Sequence, residues 1–246
     1  MNESEEPLTS FVKMPDFKRY INRTTVCIGA VVIVIILIIG LAVGLNVKKY
    51  QAEKNLKYTT KKFSLPTHYF ARRPKGIDIY KDMLYLSPGS KDEIGHARKC
   101  VSCFSKWTVY MLNNDDEIAV VIKKKVWTWT AKYDIEEQWK ENATSYRIEY
   151  SWGSSGLFNE VFKIKNSDGA EIARTNRFRM EFGKTIKLYK NPEDESTQLG
   201  VIERPAFQLF PTWEITVNNQ DVVPAYLFGA IATITTIRES EDNDKK

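Results

Sequence analysis

Cys100-Val101-Ser102-Cys103 is the stretch whose residue types and spacing come nearest to chemistry of their own. A C-x-x-C works as a redox pair when a βαβ unit presents it, and no such pattern surrounds this one. As half of a zinc site it needs two more ligands. Only Cys27, inside an apolar run, and the separated His68 and His96 remain, so a zinc site is not expected. The default reading is two free thiols, open to acylation, with a local disulfide as the alternative if the domain faces a lumen. A second constellation is Lys123-Lys124-Lys125, close to Trp127, Trp129 and Lys132. It reads either as a charged strand end, its stems packed on neighbours, or as a site for an anionic headgroup with Trp near the interface. Arg72-Arg73 and Arg174, Arg177 and Arg179 are weaker versions of the same idea. Asn142-Ala143-Thr144 is an N-glycosylation sequon that becomes an acceptor only in a lumenal or extracellular domain. No Gly-rich phosphate loop, G-x-S-x-G elbow or H-E-x-x-H is present, and acidic pairs fall mainly in turns. Neither an enzyme nor a cofactor is expected.

The elements that must position these residues begin with Val26–Leu45, an uncharged run dominated by Ile and Val. Its length and purity predict a single membrane helix over 26–47. It follows a polar tail, 1–25, expected to be disordered. The tail's length and the lack of an A-x-A site argue against a cleaved leader. Residues 48–62 read as a basic linker in which Lys48, Lys49, Lys54 and Lys57 lie nearest the membrane. That linker is a solvated spacer or helical stalk, or else a contact for anionic lipid. Lys and Arg flank the span on both sides, and their balance leans slightly towards a cytoplasmic C-terminal side. Orientation stays open, because a long domain can be translocated regardless of such charges.

From Phe63 onwards, short alternating runs broken by turn residues predict an all-β domain over 63–240. Candidate strands are Ile77–Tyr80, Met83–Leu86, Lys106–Leu112, Ile118–Ile122, Val126–Tyr133, Tyr146–Tyr150, Glu160–Lys165, Ile172–Arg174, Thr185–Tyr189, Leu199–Ile202, Phe207–Phe210 and Trp213–Val217. Turns rich in Asn, Asp and Gly start at Ser87, Asn113, Asn166 and Asn191, about 26 residues apart with one position skipped near 139. Such a period suggests strand-turn-strand units repeated round a barrel. Val222–Ile237 is apolar on every side, so protein or lipid must surround it. It is shorter than the roughly 20 residues a bilayer requires. Pro224 suits its first turn, Arg238 closes it, and a charged tail, 241–246, follows. The expected fold is mainly β: a closed barrel of about twelve strands around a buried C-terminal helix, 222–238, preceded by one transmembrane helix.

The units of apolar strand, turn such as Asn113-Asn114-Asp115-Asp116-Glu117-Ile118-Ala119, strand and basic residues resemble the LURP-one-related, tubby C-terminal and phospholipid scramblase superfamily. So does the closing Trp213-Glu214-Ile215-Thr216-Val217 strand followed by an uncharged helix. The resemblance covers roughly residues 63–240 and implies a barrel of about twelve strands round a hydrophobic helix. It also implies lipid binding at a membrane surface, with scramblase-like activity as one form of it. No acidic loop here has the spacing of a calcium site. The expected function is a membrane-anchored, non-enzymatic module binding anionic phospholipid or a protein. The alternative is a type II membrane protein whose lumenal or extracellular β-domain binds a protein or glycan. A net charge of +5, from 36 basic and 31 acidic residues, is too small to argue for nucleic acid.

Overall fold

The computed structural model describes residues 17–74, 81–100, 107–125, 130–140, 144–152, 160–175, 183–205 and 212–243. Only the backbone is described at 17–25, 42, 45–46, 48–50, 52, 144, 151–152, 160, 183 and 242–243. The chain divides into two compact units, Met1–Val47 and Lys48–Lys246. Helix α1 runs over Phe17–Lys54. Its described side chains from Val26 to Leu41 are exposed apolar groups on all sides, with no protein packed over them. Among the described residues no helix is long and apolar enough to cross a membrane. The uncharged run continues in sequence to Leu45; Val43 is likewise exposed, and the side chains at 42 and 45 are not described.

Twelve strands follow: β1 (His68–Arg72), β2 (Met83–Leu86), β3 (Glu93–Lys99), β4 (Thr108–Leu112), β5 (Ile118–Lys125), β6 (Ala131–Glu137), β7 (Thr144–Trp152), β8 (Glu160–Asn166), β9 (Glu171–Thr175), β10 (Gly183–Tyr189), β11 (Gln198–Pro205) and β12 (Thr212–Val217). Each pairs antiparallel with its chain neighbours, and β1 pairs with β12 in the register His68↔Thr216 to Arg72↔Thr212, closing a barrel. Among the described residues β9 and β10 pair through Leu188↔Thr175 and Tyr189↔Arg174. Inward positions carry the core: Tyr69, Met83, Tyr85, Val109, Ile122, Tyr133, Ile135, Ile148, Phe162, Ile202 and Ile215 are buried. The alternation follows from the strand period of two, which sends successive side chains to opposite faces.

The repeated turns all lie at one end of the barrel. Asn113 and Asn166 perform the same task there: each side-chain Oδ1 accepts from the backbone N–H groups two and four residues on, at 2.9–3.1 Å. Three residues after each Asn the chain turns left-handed, at Asp116 (φ 58°) and Gly169 (φ 82°). Gly and Asp are among the residues that tolerate this conformation. The position skipped in the sequence repeat, near 139, is the β6–β7 connection. Two expected strands, Ile77–Tyr80 and Phe207–Phe210, lie outside the described residues, while β1 and β3 come from stretches not singled out as strands.

Helix α2 (Ala225–Asn243) packs against the inner faces of the strands. Phe228 meets Gly200 of β11, the Tyr85 hydroxyl of β2 bonds Thr233 Oγ1 at 2.8 Å, and Trp213 Nε1 of β12 donates to Thr236 Oγ1 at 2.8 Å. On the opposite wall the Tyr226 hydroxyl donates to Glu137 of β6 at 2.6 Å, and Arg238 stacks on Tyr150 of β7 at 3.6 Å. Residues 225–237 are buried throughout, so apolar side chains all round meet protein all round. Two of the three threonines of this helix are thereby explained, while the Thr235 hydroxyl is buried with no hydrogen-bond partner among the described residues. Thr233 and Thr236 bond strand side chains, and the Thr236 hydroxyl also donates to the Ala232 carbonyl at 2.8 Å.

The first part of the expected linker is helical, as a helical stalk would be, and the rest is ordered against the barrel. Lys48–Lys54 belongs to α1, and the chain then lies on the outside of the barrel. Ile118 N–H donates to the Lys57 carbonyl at 2.7 Å and Thr59 N–H to the Ile118 carbonyl at 2.9 Å. Leu56 covers the outward-facing apolar group Leu112, Ile118 and Val121. A strand face that carries large apolar residues outwards must be covered, and this segment covers it.

Candidate functional site

The basic triplet Lys123-Lys124-Lys125 does not act as one group, because strand alternation splits it. Lys123 and Lys125 point outwards, whereas Lys124 falls on the inner side with Val120 and Ile122, within electrostatic reach of Glu241 on α2. Lys123 pairs with Glu136 at 2.7 Å and Lys125 with Asp134 at 3.2 Å, both from β6. Lys132 lies 3.7 Å from Glu149 of β7. Each outward lysine of the expected headgroup site therefore has a cross-strand carboxylate. Opposite charges on facing strands attract in this way.

The pairing continues over three more strands. Asp134 also accepts from Arg147 of β7 at 2.7 Å, and Glu149 meets Lys165 of β8 at 3.0 Å. Glu171 of β9 lies 3.9 Å from Lys163 and 2.6 Å from Arg174. Lys165, Lys132 and Lys163 hold the Glu149 carboxyl below its ordinary range, although burial, the largest single influence, acts the other way. The outer face of β5–β9 is thus a lattice of seven cations over four carboxylates. Its carboxylates are recessed, with side chains 14–31% exposed, while the cations stand at 28–46%. Sequence reading singled out Lys123, Lys125 and Lys132 but not Arg147, Lys163 and Lys165. The signal was present as charges at every second position: 132-134-136, 147-149 and 163-165.

The remaining residues singled out from sequence are scattered. Lys54 and Lys57 are exposed; Lys48 and Lys49 have undescribed side chains. Asn142, Trp127, Trp129, Arg177 and Arg179 lie outside the described residues. Arg73 donates to the Thr236 carbonyl at 3.0 Å, satisfying the C-terminal half of α2 rather than a ligand. Cys100, at the end of β3, is disulfide-bonded, while Cys27 is free; the chain's third cysteine, Cys103, lies outside the described residues. The expectation of two free thiols is corrected: at Cys100 the local-disulfide alternative holds. The Cys100 backbone N–H donates to the Thr108 carbonyl at 2.9 Å and the Tyr110 hydroxyl lies 3.5 Å from its sulfur, so the bridge starts from a fixed, buried point.

A buried polar cluster on β3 gave no sequence signal. His96 Nδ1 lies 2.9 Å from Glu93, which pairs with Lys81 at 2.7 Å, and His96 Nε2 lies 3.6 Å from Asp116. Arg98, 4% exposed, has Glu53 as its buried counter-charge at 3.8 Å, and its Nε finds no acceptor. No group of side chains that could hold a metal ion occurs among the described residues.

Fold and surface together define a class: a closed antiparallel barrel plugged by its own helix, its polar chemistry on the outside of the wall. The chain matches no protein-family model, no curated protein and no solved structure.

Proposed function

We propose that this chain is a single-span, type II membrane protein whose β-domain lies on the lumenal or extracellular side. There it serves as a non-enzymatic binding module. The observation that carries the orientation is the disulfide at Cys100. Such bonds persist in oxidising compartments and are rare in the cytosol. The slight lean of flanking charges towards the opposite orientation weighs less, since long domains are translocated largely regardless of them. The membrane span itself is supported by the uncharged run Val26–Leu45 and by the exposed apolar side chains that α1 carries on every side. Water penalises such a surface, and hydrocarbon does not. Binding through the outer wall is favoured because α2 occupies the barrel interior. The barrel round a hydrophobic helix accords with the architecture implied by the tubby-like resemblance, and membership of that superfamily is part of this reading.

Protease protection and endoglycosidase treatment of the full chain in microsomal membranes test the orientation. The reading expects a protected domain carrying endoglycosidase-sensitive glycan on Asn142, and a Cys100–Cys103 peptide linkage under non-reducing mass spectrometry. A protease-accessible, unglycosylated domain with reduced cysteines overturns it and restores the cytoplasmic lipid-binding reading.

A further inference from the structure

We infer that the outer face of β5–β9 binds a sulfated polysaccharide. The inference rests on the extracytoplasmic orientation proposed above and names the partner of that same outer wall.

Among the described residues the lattice holds three more cations than carboxylates, and the cations are on the whole the more exposed of the two. The carboxylates lie low between the strands, where each is already shared by two cations or capped by one. The cationic tips form the outer layer. Their own pairs fix the side chains and cover part of the entropy that binding would otherwise cost. An approaching surface therefore meets positive charge first. Five strands at the usual spacing spread that charge over about 19 Å, an extended track rather than a pocket. A track suits a linear polyanion better than a single headgroup. The chemistry required is a chain bearing regularly spaced, permanently ionised groups, which sulfate esters and N-sulfates supply.

Two observations favour this partner over a bilayer. Among the described residues, none of the exposed large hydrophobic side chains that could insert into lipid lies on this face. The negative surface potential that attracts basic proteins to membranes belongs chiefly to the cytoplasmic leaflet, and a disulfide-bonded domain faces the other way.

The test uses the full-length chain in neutral detergent micelles and heparin as the probe. Binding is measured by salt elution and by competition with fully desulfated heparin. Two triple variants are compared. One, Lys125→Gln with Lys163→Gln and Lys165→Gln, lies on the face. The other, Lys61→Gln with Lys91→Gln and Lys190→Gln, removes the same charge from exposed positions elsewhere. Both are checked for unchanged melting. The expected result is salt-sensitive binding that desulfated heparin does not compete. It weakens roughly tenfold or more in the face variant, because fewer counterions are displaced, and by less than about twofold in the control. Equal weakening in both variants would mean diffuse charge attraction and would overturn the proposal. So would binding to phosphatidylserine vesicles without binding to heparin, which would mark a lipid surface instead. Failure of the orientation reading is distinguished by protease protection, which reports the side of the membrane whether or not heparin binds.

Discussion

At the scale of single residues, Gly200 has the tightest surroundings among the described glycines. A Cβ there would stand 2.6 Å from Phe228 Cε1 of the central helix and 2.6 Å from the Thr216 carbonyl of the neighbouring strand. One contact is a ring packed in the core and the other is backbone, so neither gives way easily. Gly200→Ala is expected to destabilise the domain by about 1–3 kcal/mol through overpacking, read as a lowered melting temperature or denaturant midpoint. His96 yields a prediction of a different kind. Burial pushes its pKa below the ordinary 6.5, with Lys81 adding to the effect, while Glu93 and Asp116 pull the other way. The unfolded chain therefore takes up the proton first on acidification. Stability is full above about pH 6.5 and is lost as pH falls towards the lower native value. Melting curves between about pH 7.5 and pH 5 should show this loss, and the slope should be shallower in His96→Gln. Equal slopes in the two proteins would show that other groups carry the acid response.

At the scale of elements, α2 decides whether there is a barrel. Gly229 faces the Tyr69 hydroxyl at 3.0 Å and Tyr85 at 3.1 Å from where a Cβ would stand. Gly229→Lys would place an unpaired charge in that core, at a cost of several kcal/mol. The domain is expected to lose its cooperative transition in near-UV circular dichroism; an unchanged melting curve would count against the central helix. This element was legible in the sequence, because a helix apolar all round and too short to span a bilayer has few other places to go. The hairpin repeat was legible too, because Asn at a turn start leaves a fixed pattern of backbone bonds. What sequence left hidden was pairing across strands. Arg98 looks like an ordinary surface residue of β3 until Glu53 is laid beside it, and His96 does so until Asp116 of the β4–β5 turn approaches it; no local pattern announces either contact. The lattice on β5–β9 was half visible. A run of three lysines stood out, whereas a charge at every second position does so only when the strand period is imposed on it.

At the scale of the whole molecule, the barrel is a unit that includes the segment leading into it. The fragment 48–246 is expected to fold and melt cooperatively on its own. A fragment 63–246 removes Leu56 from the outward apolar group and Glu53 from Arg98. Its melting temperature is expected to fall by about 5 °C or more, since stripping one partner from a buried charge pair costs a few kcal/mol and each is worth about 2–4 °C at this size. Scanning calorimetry of the two fragments separates these outcomes. The order in which the chain is made carries its own consequence. The wall closes only when β12 reaches β1, and the helix that fills the interior is synthesised after all twelve described strands. Translation at ordinary speeds leaves roughly 10–35 s between the first strand and the plug. Throughout that interval the apolar inner surface has nothing to close upon. Nascent barrels are therefore prime clients for the chaperones of whichever compartment receives them, and a ribosome that stalls before Ala225–Asn243 is made would release a chain with the twelve described strands and no plug.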